Sequence, residues 1–368
     1  MTSSVADTTM SVGSRVGRYF SLVSMVPSLF LVLWTAALTA SNAWAGKPDI
    51  DTLKDWLAAV SVRTVAWMVL LTLIVALFLH PLQFAMTRLL EGYWGSSLPA
   101  RVALRWRIGR HRRRHARLKK RMKALEDRWR SGLDKILTGR GTDPDDFDSE
   151  RAPLFESEDG NRFTGLHAAR ESIYATLNAY PALYPARDRI LPTRLGNALR
   201  SGEDSAGRPY GIDAILIAPH LALVAEESHV RYLRDSRQQL DTAVRLCVVS
   251  FVAFLLTTGG LLTDGWWLLL AMIPYTLSYV AYRASVASAA DYMVAVATVI
   301  DLNRFKVYER LHIELPDSTA EERRSNRKLM KLLDEERTIH RNRKVSIGYR
   351  HPATVDTSGT PPTPPGNP

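Results

Sequence analysis

Residues 246–282, LCVVSFVAFLLTTGGLLTDGWWLLLAMIPYTLSYVAY, decide the fold of this chain. Between Arg245 and Arg283 these 37 residues hold a single charge, Asp264, which lies beside Gly259, Gly260 and Gly265. Each half has 18 uncharged residues. At ~1.5 Å rise per residue that is about 27 Å of helix, close to the hydrocarbon thickness of a bilayer. The stretch reads as a transmembrane hairpin turning at 257–265, with both open ends on one side.

Working outward toward the N-terminus, residues 88–94 carry two aromatics suited to headgroup depth, and ahead of them Thr64–Thr87 is free of Lys, Arg, Asp and Glu for 24 residues. This is a second span. Pro81 predicts a kink or break in its last third, beside His80 and Gln83. A histidine within a membrane segment is a candidate proton relay, although near a helix end a solvated interfacial role fits it better. The mixed-charge loop 47–63 precedes it, and before that Tyr19–Gly46 runs 28 residues without a charge. Arg15, Arg18 and the small-residue pattern Ala43-Trp44-Ala45 also suit a cleaved signal peptide. The apolar run is longer than such regions usually are, and Trp34 and Trp44 suit an interfacial belt, so we read it as a retained first helix.

The remainder is polar and basic. Mean hydropathy is -0.10 and the formal net charge +11, so a chain apolar throughout is excluded and an acidic partner is implied. The one cysteine, Cys247, excludes an intramolecular disulfide and a cysteine zinc site. Between Arg101 and Arg130 stand 14 Lys/Arg against Glu126 and Asp127. This predicts a juxtamembrane polybasic helix over 95–140 that faces anionic lipid headgroups through Arg105, Arg107, Arg110, Arg112, Arg113, Arg114, Arg117, Lys119 and Lys120. Nucleic acid is the alternative polyanion; Trp106 and Trp129 could stack on bases, but no recognition fold surrounds them. His111 and His115 have metal-like spacing, which the adjacent arginines oppose.

An acidic, turn-rich linker begins at Gly141 and opens a cytoplasmic module over 141–241. Helices are expected at Leu166–Ala179 and Thr193–Arg200, a turn at Gly207–Gly211, a short strand or interfacial segment at Ile212–Ile217, and a charged helix at Glu226–Asp241. Beyond the hairpin (242–283), Val286, Ala290, Met293, Ala297, Ile300, Val307 and Leu311 keep heptad spacing, with Arg304 interrupting. The fourth span therefore continues as a long helix, and self-association along its seam is an alternative to packing within the chain. Ala281, Ser285, Ser288 and Ala289 allow close helix approach. Pro316 ends that helix, and Ser318 with Glu321 has capping-box spacing for another; together these fill 284–345. Residues 1–18 and the Thr/Pro-rich 346–368 read as disordered ends.

Lysine and arginine number 28 in 88–240 and 14 from Arg283 onward, against two, Lys47 and Lys54, in the first inter-span loop apart from the span-flanking Arg63, and none in the hairpin turn. By the positive-inside rule both termini and the middle module are cytoplasmic. The expected fold is mainly α: a polytopic membrane protein with four transmembrane helices in two pairs (19–94 and 242–283) and a mostly helical cytoplasmic domain between them.

Chemistry is sparse. Residues 202–209 look like a phosphate loop, but arginine replaces its lysine and proline the following Ser/Thr, so it reads as a turn. No nucleophile elbow, zinc-protease motif or dinucleotide fingerprint occurs, so neither enzymatic activity nor a cofactor is expected.

Arg88-Leu-Leu-Glu-Gly-Tyr-Trp94, Pro192-Thr-Arg-Leu-Gly-Asn197 and Tyr210-Gly-Ile-Asp213 resemble signatures of a family of uncharacterised bacterial integral membrane proteins with four spans. The resemblance covers about 60–335 and departs from the family at Arg200–Arg208. It implies the bacterial cytoplasmic membrane, and the Ala- and Arg-rich composition is similar to actinobacterial proteins. It brings no activity. The polar residues in or beside these motifs, Arg194, Asn197, Arg200, Tyr210 and Asp213, form the candidate interaction surface for a protein partner. The expectation is a non-enzymatic scaffold, assembly factor or sensor. The alternatives are a homo-oligomeric channel or pore and a membrane-tethered nucleic-acid binder.

Overall fold

Ser61 starts a long apolar helix by accepting the amide of Thr64 at 3.3 Å, and Gly92 ends it in the left-handed conformation, φ 104°, returning its N–H to Arg88 and Leu89. In the computed structural model, which describes residues 25–140, 165, 168, 171, 184–186, 188–335 and 347–350, this helix is Val62–Glu91. The architecture is mainly helical. In order come α1 (Met25–Ala40), α2 (Ile50–Ala58), α3 (Val62–Glu91), α4 (Leu98–Arg140), α5 (Arg194–Ser205), α6 (Ala214–Val224), α7 (Glu227–Gly260), α8 (Met272–Arg310) and α9 (Thr319–Glu335). Short 3-10 turns lie at Arg208–Tyr210 and Gly265–Ala271. Among the described residues, strand-like pairing is limited to one antiparallel bridge, Ile313 with Tyr349.

Among the described residues three helical stretches are long and apolar enough to cross a membrane: Val62–Glu91, Glu227–Gly260 and Gly265–Arg310; α1 is apolar but shorter. Of the most apolar window of α3 only 6% is buried within the chain, with Trp67, Leu77, Phe78 and Phe84 all more than 60% exposed. Apolar area of that extent is unfavourable in water at roughly 25 cal/mol per Å² and neutral in lipid.

Several expectations change. α3 runs through Pro81 without a break; proline removes one amide from the ladder, and its helix retains the remaining bonds. The loop 47–63 contains a helix, α2, because Asp49 caps it by accepting the Asp51 amide at 2.8 Å. Ile212–Ile217 is not a strand. The Asp213 carboxylate accepts from Ile215 (2.9 Å) and Leu216 (3.3 Å), which starts α6 and buries Ala214, Ile217 and Leu221 on one face. The charged helix at 226–241 and the third span are one helix, α7. Of the helix expected at Leu166–Ala179 only Ala168 and Glu171 are described, both helical; residues 1–18 lie outside the described residues, and of 346–368 only 347–350 are described, where Tyr349 pairs with Ile313.

The chain divides into two compact units, each assembled from separated segments: Met1–Asp204 with Tyr232–Ala295, and Ser205–Arg231 with Val296–Pro368. The boundary at Asp204 falls inside the 141–241 segment, and a second boundary falls inside α8. In the first unit, Leu195, Leu199, Leu240, Val244, Met86 and Ala289 form a core. Several polar residues of its apolar helices find partners there: Gln83 Nε2 donates to the Asp241 carbonyl at 3.3 Å, Arg245 donates to Gln83 Oε1, and Ser278 Oγ donates to the Cys247 carbonyl at 2.9 Å. α1 joins this unit, with Trp34 Nε1 donating to Thr257 Oγ1 at 2.9 Å and Leu38 and Ala43 buried with Leu261.

The second unit packs Ile300 and Val307 of α8 with Ile217 and Leu221 of α6 and Leu329 and Met330 of α9. The heptad positions of α8 are thus covered by the chain's own residues, and Ala281, Ser285 and Ala289 are buried as well. The capping box of α9 forms in a shifted version: the Glu321 amide donates to Ser318 Oγ, and the Glu321 carboxylate accepts from Asp317.

Candidate functional site

The two signature stretches at 88–94 and 192–197 meet at one place. Thr193 Oγ1 donates to the Glu91 carbonyl at 2.8 Å while accepting the Gly196 amide, so it caps α5 and ties it to the end of α3. Gly196 lies directly on that carbonyl: a Cβ there would stand 2.1 Å from Glu91 O, so only glycine permits the approach. Asn197, fully buried, accepts from Leu191 N and donates to the carbonyls of Leu191 and Thr193. Arg200 donates to Tyr93 OH at 2.9 Å, and Arg88 stacks over the same ring.

The five residues expected to form one interaction surface are divided between the two compact units. Arg194, Asn197 and Arg200 belong to the first compact unit, Tyr210 and Asp213 to the second. Asn197 is occupied in holding its own turn, and Asp213 caps α6. Tyr210 lies under the Arg304 guanidinium (3.9 Å to the ring centre), and its carbonyl accepts from Asn326. Arg304 in turn pairs with Glu322 at 2.8 Å, which explains how a cation interrupts the apolar seam of α8. Arg194 differs from the rest of the set, since it lines a cavity.

That cavity, of about 220 Å³, is lined by Arg107, Arg110, His111 and Arg114 of α4, Arg194 of α5, and Tyr279, Tyr282 and Arg283 of α8. Among the described residues, no carboxylate lines it. Arg107 is held by donating to the Pro192 carbonyl at 3.3 Å. Tyr282 OH accepts the Arg194 amide at 3.1 Å, which leaves its own hydrogen available to a ligand. His111 is buried and shares a 2.9 Å hydrogen bond with Tyr184 OH. Burial first, then the charges of Arg107, Arg194 and Arg114, pull its pKa down to about 4. His111 is therefore neutral at physiological pH, and the cavity presents donors for an oxyanion.

Of the nine cations expected to face lipid, the structure separates Arg107, half-buried in this cavity, from Arg105, Arg112, Arg113, Arg117, Lys119 and Lys120, all exposed along α4. Arg110 and Arg114 are exposed yet border the cavity. The acidic pair Glu203 and Asp204 is committed to Arg200 and Arg189. Among the described residues no group of three or more His, Cys, Asp or Glu is placed to hold a metal.

Comparison with known protein families, curated proteins and solved structures finds no match. The reading of this site therefore rests on its own geometry. Sequence reasoning had grouped Arg194 with polar neighbours of the second unit. The pattern that could have found the cavity is the pairing of Arg283, first cation after the hairpin, with the aromatic residues one turn before it.

Proposed function

We propose that this is a non-enzymatic integral membrane protein of a bacterial cytoplasmic membrane, a scaffold, assembly factor or sensor whose basic module engages anionic headgroups and a protein partner. In this reading α1 is retained as the first of four spans, and both termini and the α4 module are cytoplasmic. The packing of Trp34, Leu38 and Ala43 against the hairpin turn supports retention of α1. The family resemblance of the 88–94 and 192–197 motifs agrees with this layout.

The observation that carries the reading is the junction of α3 and α4. A helix with only 6% of its most apolar window buried within the chain is followed, after six residues, by one with a dense run of exposed cations. Lipid hydrocarbon and anionic headgroups satisfy the two in succession, each surface cation contributing ~1 kcal/mol. A pore built on the small-residue face of α8 would need another lining, because Ala281, Ser285 and Ala289 are covered within the chain.

The test is the lipid that accompanies the full-length protein out of bilayers mixing phosphatidylglycerol with phosphatidylcholine. Enrichment of phosphatidylglycerol in the extracted shell is expected, and it should fall in R112Q/R113Q/R117Q. A shell of bulk composition, unchanged by those substitutions, contradicts the proposal.

A further inference from the structure

We infer that the first turns of α4 lie along the bilayer interface, with Leu98, Val102 and Trp106 set into the boundary between headgroups and acyl chains. This placement deepens the proposed headgroup reading and rests on it only in that α3 and the α7–α8 hairpin cross the bilayer.

Leu98, Val102 and Trp106 are spaced four apart, so they fall on one side of the helix. Each is more than 60% exposed. The opposite side is the one packed on the protein, where Arg107 donates to the Pro192 carbonyl and His111 bonds Tyr184. Exposed cations border the apolar edge at Arg101, Arg105 and Arg112, and Arg110 lies 5.9 Å from the centre of the Trp106 ring. Carried past Gly109, the same line meets Arg113 and Lys120 in place of apolar side chains. An aliphatic and aromatic edge flanked by arginines is the pattern of a helix lying in the plane of an interface.

Two anchors fix its depth. Six residues separate α4 from the end of α3, and among them Tyr93 and Trp94 are of the kind enriched at headgroup level. Farther along, Arg107, Arg110 and His111 share a cavity with Tyr279, Tyr282 and Arg283, where the apolar run of the hairpin ends. The two places lie side by side: Thr193 donates to the Glu91 carbonyl, and the next amide, that of Arg194, donates to Tyr282 OH. Both ends of 98–111 are thus held where a span leaves its apolar run, and the segment between them follows that level. Lipid is the occupant this continuity selects, since acyl chains meet the apolar edge and headgroup phosphates meet the arginines beside it.

Nitroxide labels on the full-length protein in bilayer nanodiscs test the placement. Leu98→Cys, Val102→Cys and Arg112→Cys, each combined with Cys247→Ala, put the label at exposed positions, which leaves the fold undisturbed. Power saturation with oxygen and a water-soluble nickel chelate then reads depth. Positions 98 and 102 are expected about 5–10 Å below the headgroup boundary, and position 112 at or above it.

Equal access of the nickel chelate to all three positions overturns the inference. So does dipolar broadening at 102 that vanishes on dilution with unlabelled protein, because a second copy of the chain would then cover the edge. Repeating the readings in phosphatidylcholine alone separates this placement from the charge reading. Aqueous labels at 98 and 102 alongside continued phosphatidylglycerol enrichment would leave the headgroup reading standing and the insertion wrong. Depth kept at 98 and 102 without such enrichment would support the insertion and sink the headgroup reading.

Discussion

The two compact units each contain a concentration of arginine, and they treat it in opposite ways. In the second unit Arg304 is enclosed, paired with Glu322 whose side chain is only 4% exposed, and stacked on Tyr210. In the first, Arg107, Arg110, Arg114, Arg194 and Arg283 line one cavity. A satisfied buried cation is a structural part whose loss unfolds something. A cation at the wall of a cavity is enclosed less, and its loss disturbs the fold less. The difference lies in the partners supplied, not in the residue type.

Substitution breaks or sharpens that contrast. The largest effect is expected from Glu322→Ala, which leaves Arg304 buried without its partner and should cost ~3–5 kcal/mol, read as accelerated hydrogen exchange in α6 and α9. Arg283→Gln should stay within about 0.5 kcal/mol of wild type or stabilise it. Equal losses from the two would erase the distinction.

Gly196→Ala is next. The added methyl meets a backbone carbonyl rather than a movable side chain, so about 1–3 kcal/mol is expected, measured as a lowered melting temperature in detergent. Tyr282→Phe removes the acceptor of the Arg194 amide and should cost ~1 kcal/mol, visible as faster exchange at the start of α5.

The smallest effect at neutral pH belongs to His111. Its pKa falls from 6.5 to about 4 on folding, so the unfolded chain binds the proton more readily. Its contribution is complete above about pH 6.5 and is lost progressively as pH falls toward 4. His111→Gln, which can still bond Tyr184, should flatten that part of the stability–pH curve; an unchanged curve would show that the cavity does not depress the histidine.

Much of the fold was legible because hydropathy reports the solvent around a helix. The bare surface of α3 and the uncharged halves of the hairpin follow from charge-free length alone, and the spacing of Ser318 and Glu321 announced α9. What could not be read was how separated segments meet. Ile212–Ile217 is apolar in any conformation, and only the cap bonds of Asp213 make it helical. Asn197 looked like a surface residue because a buried amide that closes its own turn has the same composition as an exposed one. The cavity was illegible for the same reason: α4, α5 and α8 contribute arginines 89 residues apart from Arg194 to Arg283 and 80 or more from Arg194 back to Arg114, and no local pattern links them.

The central claim is that α7 and α8 form a hairpin across the membrane with the arginine-rich surfaces on the cytoplasmic side. Labelling by a membrane-impermeant maleimide in intact cells tests it, using Cys247→Ala as background and Asp264→Cys or Arg112→Cys as the single thiol. The account predicts that position 264 reacts from outside and position 112 reacts only after the membrane is opened. Reaction of both positions from the same side would contradict it.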